Sequence, residues 1–406
     1  MQLIDDIEQK YAKYLLYAVL IPVFGPRGFS ECWSWYKAFF TLCLYPALAV
    51  MVVWIACDLI RRGCHYKLCG YAVAVYYLLF ILITLVVQGG ISDGLQKLFA
   101  APVIMLFCMM CLKNNTHQFL RVLGNILLAI LGLNITVFSP ALLKVYSLLG
   151  NRLFFLGHIQ VAAQYGILSI LVAAILHIAY KENAVYCVSL AGVSLVTMLW
   201  SNTDAGILVV LLMVLAFVFW MIRKPNAILS AKRALTRDPR MYLVGYLLMT
   251  EVLLLYAIGQ HYVFWGIDLS FNGRTIVWTE VLRLFAERPI FGYGAYGVLI
   301  HTFWTEGMNY AHSEFMQKLL DGGIALCIAY YFVLATLIAP VRKVKSMKAR
   351  YVAIVCLTGM FLVMFFESVG DYFYASVFFV ILAYYPEIFG ERLKKAQSVP
   401  IADGGK

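Results

Sequence analysis

The sequence predicts an all-α membrane protein that crosses a lipid bilayer about twelve times, as one integral membrane domain over residues 1–406. Of the 406 residues, 63% are hydrophobic and only 13% are charged. The mean hydropathy is +0.84, which is typical of integral membrane proteins. Apolar segments recur along the chain, and a helix needs roughly 20 mostly apolar residues to span a bilayer.

Twelve apolar segments of helix length follow one another along the chain. Their approximate bounds are 14–25, 38–60, 68–88, 98–112, 122–138, 153–180, 184–200, 205–222, 241–264, 319–340, 351–368 and 374–389. The first and the fourth are short for a complete span. Most connections are short, but residues 265–318 form one large loop, and a loop of this length is usually functional.

Lysine and arginine divide the connections into two sets. With the N-terminus placed inside, 23 of the 32 Lys and Arg residues lie on the inner side and 9 on the outer side. Positive charge is retained in the cytoplasm during insertion, so we expect both termini in the cytoplasm and 265–318 outside. This topology accounts for the net charge of +11 without a nucleic-acid partner. The basic connection 223–240 also suits contact with anionic membrane lipid.

The sequence pattern in the first half of the large loop predicts an amphipathic helix that lies at the membrane surface. It begins near Arg274 and ends before Pro289, since proline stops helices. Its apolar face consists of Ile276, Val277, Val281, Leu284 and Phe285.

The arginines of this helix differ in their surroundings. Arg283 and Arg288 lie close to Glu280 and Glu287, with which we expect them to pair. Arg274 stands at the helix N-terminus, where the helix dipole disfavours a cation. Its position is easier to explain if it binds an external anion such as phosphate.

The end of the loop is unusually polar and reads GMNYAHSEFMQKLLDGG over 307–323. His312 is either a hydrogen-bonded structural residue or a general base, since imidazole exchanges protons near neutral pH. Tyr293 and Tyr310 are aromatic residues of the same loop. Such rings either form an interfacial belt or stack on sugars.

Other polar residues accompany the apolar segments. Arg152 precedes the sixth segment, and His158, Gln160 and Gln164 follow within it. Polar groups at membrane depth face a neighbouring helix or a cavity. Both interpretations, hydrogen bonds between helices and a cleft for a lipid headgroup, stay open.

Three acidic residues lie within or beside later segments. Glu251, midway along the ninth segment, is expected to be protonated or paired, and a transporter would use it as a proton site. Glu367 and Asp371 are expected partners for an arginine. The outer loops contain no D-x-D, H-x-E or paired-carboxylate motif, so we predict neither a divalent-metal site nor a cofactor.

Several short motifs occur in a fixed order. Arg152 precedes an amide-rich segment, SNTDAG follows at 201–206, R-x-x-x-W at 274–278 precedes P-I-F-G-Y-G, and A-H-S-E-F precedes G-G. This order resembles the bacterial O-antigen ligase and O-antigen polymerase superfamily. The resemblance covers most of the chain and is strongest from 274 to 323. It implies a GT-C-like, all-helical, metal-independent glycosyltransferase.

The resemblance also implies roles for particular residues. His312 matches the family's loop histidine, Arg274 its loop arginine, and Arg152 a third position. Relatives carry an arginine in the short loop where this chain has Asp204. This departure leaves Arg152, Arg283 or Arg288 to substitute in binding pyrophosphate.

The implied enzyme is an O-antigen ligase of the bacterial inner membrane with its active site facing the periplasm. Its donor is a glycan linked to undecaprenyl pyrophosphate, and its acceptor is lipid A-core. His312 would act as general base, while Arg274 and Arg152 neutralise the leaving pyrophosphate. Two alternatives stay open: an O-antigen polymerase, and a proton-coupled transporter or lipid flippase that uses Glu251.

Overall fold

A computed structural model of the chain describes residues 2–30, 33–63, 66–89, 93–137, 153–222, 226–258, 263–264, 267–268, 273–302, 305–370 and 373–390. Within them the chain is helical apart from short turns and three two-stranded antiparallel hairpins. The α-helices are α1 (Gln2–Phe24), α2 (Ser34–Arg62), α3 (Leu68–Gln88), α4 (Asp93–Asn114), α5 (Thr116–Ile135), α6 (Val161–Tyr180), α7 (Ala184–Trp200), α8 (Asp204–Met221), α9 (Asn226–Leu235), α10 (Arg240–Ile258), α11 (Arg274–Glu287), α12 (Glu314–Ile338), α13 (Met347–Phe366) and α14 (Phe373–Ala383). The strands are β1 (Leu153–Phe154), β2 (Gly157–His158), β3 (Val263–Phe264), β4 (Ile267–Asp268), β5 (Ile300–Thr302) and β6 (Thr305–Met308).

Every apolar segment predicted from the sequence coincides with an α-helix. Seven helices in the described part of the chain are long and apolar enough to cross a membrane, and four shorter apolar helices accompany them. The all-α, multi-pass membrane architecture is therefore confirmed. The exact number of twelve spans stays a prediction.

The sixth segment differs from its predicted bounds. Residues 153–158 form the β1–β2 hairpin, and α6 begins only at Val161. His158 therefore lies on a strand and Gln160 precedes the helix, whereas Gln164 is buried in α6. Arg152 lies outside the described residues.

The helices separate into central and peripheral ones. Ten of the eleven residues of α14 are buried, and it packs against α4, α6 and α12. On α2, by contrast, large apolar side chains such as Leu42, Val53 and Ile60 are exposed. An apolar outer surface of this kind is what lipid contact requires, because hydrocarbon chains are as apolar as leucine.

The basic connections meet at one end of the helix bundle, which we name the basic end. Ion pairs join these connections to one another or to neighbouring helix ends: Lys67–Glu387, Arg121–Glu182 and Arg342–Asp238. The opposite end carries α11, the β5–β6 hairpin and the residues leading into α12, and we name it the loop end. The separation of the two ends agrees with the charge asymmetry of the sequence.

Helix α11 has the predicted bounds, but its apolar face is covered by protein. Val277, Trp278 and Val281 are at most 2% exposed, and α11 packs on α10, α12 and β5. The apolar face therefore packs on protein, and the expectation that the helix lies at the membrane surface stays a prediction. Periodicity indicates that one face is buried, not what buries it.

Helix α12 is broken at two adjacent glycines. Gly322 has non-helical dihedral angles, and Gly323 has a φ of 60°. The φ of Gly323 lies in the left-handed region that glycine adopts without steric cost. A Cβ at residue 323 would lie 2.5 Å from the carbonyl oxygen of Ile290, so only glycine permits this close approach.

The P-I-F-G-Y-G segment occupies the break. Tyr293 N donates to the carbonyl of Leu320 (3.0 Å), and Gly294 N donates to that of Asp321 (2.7 Å). On the other side of the break, Ile324 N donates to Pro289 O (2.9 Å). Backbone groups freed by the interruption thus find partners in the loop, as buried peptide groups must.

Candidate active site

The backbone that carries His312 is fixed before α12 begins. Trp278 Nε1 donates to the carbonyl of Ala311 (3.1 Å), and Ala311 N donates to Oε1 of Gln317 (2.8 Å). His312 itself has a φ of 51°, an uncommon conformation for a residue other than glycine. Strained backbone of this kind persists where the surroundings enforce it, and it is concentrated at functional sites.

Glu367 is the centre of a polar cluster at the loop end. It directly follows α13 and is 2% exposed. Arg274 Nη2 donates to its Oε1 (2.7 Å), and Tyr310 OH donates to its Oε2. His312 Nδ1 lies 3.6 Å from the same Oε2. One buried carboxylate therefore brings together Arg274 at the start of α11 with Tyr310 and His312 of the segment before α12.

The imidazole of His312 is oriented within this cluster. Its ring lies against that of Tyr310, with centroids 4.5 Å apart in an edge-to-face arrangement. The distance from Nδ1 to Glu367 is too long for a direct hydrogen bond, but a carboxylate at this distance stabilises an imidazolium. With Nδ1 facing Glu367, Nε2 is directed away from the carboxylate. A histidine placed in this way suits a general base.

Arg274 has a different partner from the one expected. The sequence predicts that it binds an external anion, and the structure pairs it with the protein carboxylate of Glu367. Its guanidinium also lies 5.9 Å from the centre of the Phe366 ring. The pairing with Glu367 explains a cation at the helix N-terminus without an external ligand. The Arg274 side chain is 16% exposed.

Arg283 lies on the exposed side of α11 and pairs as predicted. It contacts Glu280 at 2.7 Å and Glu287 at 2.5 Å. Its hydrogen bond to Glu280 raises the pKa of the guanidinium, so the side chain stays charged. At 1.5 Å rise per residue, Arg283 lies about 13 Å along the helix axis from Arg274.

Arg288 and Tyr293 form a separate contact beyond the end of α11. The guanidinium of Arg288 lies 5.0 Å from the centre of the Tyr293 ring. The Tyr293 hydroxyl donates to Glu287 Oε2 (2.9 Å), and burial together with this carboxylate raises its pKa. The structure therefore places Arg283, Arg288 and Tyr293 apart from His312.

Two acidic positions have clear placements. Asp204 is the first residue of α8, whose N-cap is Thr203, and an acid there stabilises the helix dipole. Glu251 lies exposed on α10. The expectation that Glu251 is protonated or paired stays a prediction. Asp371 lies outside the described residues.

Sequence reasoning assigned no role to three charged residues of α12. Glu314, Lys318 and Asp321 are at most 6% exposed, and they line a cavity of about 1060 Å³. Glu314 Oε2 accepts hydrogen bonds from the backbone nitrogens of Val369 (2.7 Å) and Gly370 (3.1 Å). The sequence signal was their spacing of three and four residues, which places them on one helix face.

The cavity and the His312 cluster lie beside the same helix start. Neither His312 nor Arg274 is among the residues that line the cavity. Across the ranges that the structure describes, no group of three or more His, Cys, Asp or Glu side chains is arranged to hold a metal ion.

Comparison with known proteins gives one family match. The family described as O-antigen ligase matches residues 189–331, a range that runs from within α7 to within α12. It includes Arg274, Tyr310 and His312 and ends before Glu367. A comparison with curated proteins finds no match.

Proposed function

We propose that this chain, whose residues 189–331 match the family described as O-antigen ligase, is an O-antigen ligase. It moves a glycan from undecaprenyl pyrophosphate onto lipid A-core at the periplasmic face of the bacterial inner membrane. The observation that supports this proposal is the convergence of His312, Arg274 and Tyr310 on buried Glu367. All three converging residues lie within the matched range.

The reaction is a single displacement at the anomeric carbon of the donor. An acceptor hydroxyl attacks this carbon, and His312 Nε2 takes the hydroxyl proton as the new C–O bond forms. The bond from the anomeric carbon to the phosphate oxygen breaks, and its electron pair leaves with undecaprenyl pyrophosphate. Inversion at the anomeric carbon follows from one displacement. General base catalysis of this kind contributes about 10²–10⁴ in rate.

Glu367 orients His312 and stabilises the imidazolium that forms when the imidazole takes the proton. The same carboxylate holds Arg274 in place. We propose that Arg274 also donates hydrogen bonds to the leaving pyrophosphate and stabilises its negative charge, because a planar guanidinium matches phosphate geometry. The proposal uses no metal ion or cofactor.

The remaining predicted residues have peripheral roles in this proposal. Arg283 lies about 13 Å from Arg274 along α11, and Arg288 and Tyr293 follow the end of that helix. We assign all three to contacts with outer parts of the bound glycan. Tyr310 positions His312 through ring contact and the Glu367 hydrogen bond. Arg152 is proposed as a further contact to the pyrophosphate.

The test is complementation of a deletion strain, with lipopolysaccharide resolved by gel. We expect wild-type protein and His301→Ala, a change of an exposed histidine in the same loop, to restore O-antigen on lipid A-core. His312→Ala, at equal protein level, should not restore it. A normal amount of O-antigen on lipid A-core with His312→Ala would show that His312 is not the general base.

The deletion strain also separates the ligase from its closest alternative. Accumulation of lipid-linked polymer without transfer indicates a ligase, whereas lipid A-core capped with a single repeat indicates a polymerase. The transporter alternative uses Glu251 as a proton site, but Glu251 is exposed and does not line the cavity.

A further inference from the structure

The cavity beside α12 is a long cleft between helices. Most of its lining comes from α2, α3, α4, α12 and α14. One wall is a single face of α2 made by Lys37, Thr41, Tyr45, Leu48 and Val52. From Lys37 to Val52 this face is about 22 Å long, at 1.5 Å rise per residue. The cleft therefore follows the helices over much of a bilayer's roughly 30 Å hydrocarbon core.

The chemistry of the lining changes along the cleft. Its charged residues gather near the loop end, where α2 and α12 begin, and these are Arg27, Lys37, Glu314, Lys318 and Asp321. Farther along, the walls are apolar or aromatic and include Leu48, Val52, Phe99, Leu334 and Leu337. A molecule that fits this lining has one polar, charged end and a long hydrocarbon body.

Whether the charged end of such a molecule is positive or negative depends on which cations of the cleft already pair with a carboxylate. Lys318 Nζ lies 3.3 Å from Glu314 Oε1, so this pair is neutral. Within the described ranges, Arg27 and Lys37 form no ion pair with a carboxylate. The guanidinium of Arg27 instead lies 5.5 Å from the centre of the Phe373 ring. Asp321 also lines this end, so the three cations and two carboxylates leave a net charge of +1, and the loop end of the cleft suits an anion.

We propose that the cleft binds a long-chain lipid diphosphate, with the chain along α2 and the diphosphate at Arg27 and Lys37. This inference rests on the proposed function, and it assigns the lipid carrier to residues outside the family match at 189–331. It also explains how the chain can lack the family arginine at Asp204, because Arg27 and Lys37 supply positive charge from another part of the chain.

The position of the cleft also fits transfer at His312. Glu314 and Lys318 line the cleft, and His312 lies two residues before Glu314. Because the reacting anomeric carbon is bonded directly to the diphosphate, transfer would take place where the diphosphate reaches the first turn of α12, beside His312.

The test uses the purified full-length protein in lipid nanodiscs and a photoreactive polyprenyl diphosphate that carries no sugar. We expect the probe to label peptides of α2, α3 or α12 that face the cleft. Ala49→Trp fills the cleft, because Ala49 lines it, whereas Val50→Trp adds the same ring at the next, exposed position. Labelling should fall about tenfold or more with Ala49→Trp, since lost volume excludes the chain, and stay unchanged with Val50→Trp.

A second pair of variants tests the charge. Arg27→Gln combined with Lys37→Gln should weaken probe binding about tenfold or more, because charge-assisted phosphate contacts are lost. Lys113→Gln combined with Lys345→Gln removes the same charge at the basic end and should have no effect. Competition by an uncharged polyprenol as strong as by the diphosphate would overturn the anion site. Complete competition by inorganic pyrophosphate alone would overturn the role of the chain.

The outcome is independent of catalysis. His312→Ala should bind the probe normally while transferring no glycan. Labelling elsewhere in a protein that still transfers glycan would overturn this inference and leave the proposed function standing. Labelling in the cleft of a wild-type protein that transfers no glycan would overturn the proposed function and leave this inference standing.

Discussion

At Glu367, one buried carboxylate contacts an arginine, a tyrosine and a histidine. A buried carboxylate is costly unless it is paired and hydrogen-bonded, and Arg274 and Tyr310 meet that requirement. The sequence predicted that Glu367 pairs with an arginine. It did not predict that the same carboxylate faces His312, because residues 55 positions apart are brought together only by the packing of α12 and α13.

Glu367→Gln tests this arrangement, because it keeps the shape of the side chain and removes its charge. We expect transfer to fall at least tenfold, since the imidazolium loses its carboxylate. We also expect a loss of stability of about 3–5 kcal/mol, because the partly buried Arg274 guanidinium loses its ion pair with Glu367. Glu367→Asp should retain part of the activity. Transfer rate per folded protein and thermal stability are the measurements.

Glu280→Gln is the matched control, since Glu280 pairs with Arg283 on the exposed side of α11. Exposed ion pairs contribute at most about 1 kcal/mol, so this variant should behave as wild type. Equal rates for Glu367→Gln and Glu280→Gln would exclude Glu367 from orienting the base.

At the scale of elements, the break in α12 links two glycine-containing motifs. The sequence analysis recognised P-I-F-G-Y-G and the G-G pair as motifs, but it did not show that the first fills the break at the second. The close approach of Gly323 to Ile290 is a tertiary contact without a local signal. The start of α6 is a similar case, because residues 153–158 are apolar enough for a helix and fold as a hairpin.

Gly323→Ala should destabilise the protein by at least about 1–2 kcal/mol, because a left-handed conformation is costly for alanine, and its Cβ would also clash with Ile290. Gly245→Ala is the control, since residue 245 lies within α10 with open space around it. There alanine should be neutral or stabilising by about 1 kcal/mol. Thermal unfolding in detergent measures both, and equal melting temperatures would contradict the account of the break.

At the scale of the whole molecule, the sequence predicted the apolar helices and the segregation of positive charge. Both depend on composition and period, which are local properties. The cleft between α2 and α12 was not predictable, because its walls come from five helices whose relative positions depend on packing. The spacing of Glu314, Lys318 and Asp321 placed them on one face of α12. That spacing alone did not indicate which helices face them across the cleft.

The orientation of the bundle predicts the behaviour of reporter fusions. Alkaline phosphatase folds only outside the cytoplasm, so a fusion after residue 288 should be active and one after residue 182 inactive. The physical reason is retention of the basic end in the cytoplasm. The reverse pattern, at equal expression, would place α11 and His312 on the cytoplasmic side and remove access to a periplasmic acceptor.

The role of His312 as the base of a metal-independent glycan transfer is tested most directly with purified protein. Transfer is measured in liposomes that contain lipid-linked glycan and lipid A-core, with EDTA present. We predict transfer by the wild-type protein and by His301→Ala, and a rate about 10²–10⁴ lower for His312→Ala with unchanged binding of the donor lipid. Transfer by His312→Ala at the wild-type rate would contradict the account, as would no transfer by the wild-type protein until a metal ion is added.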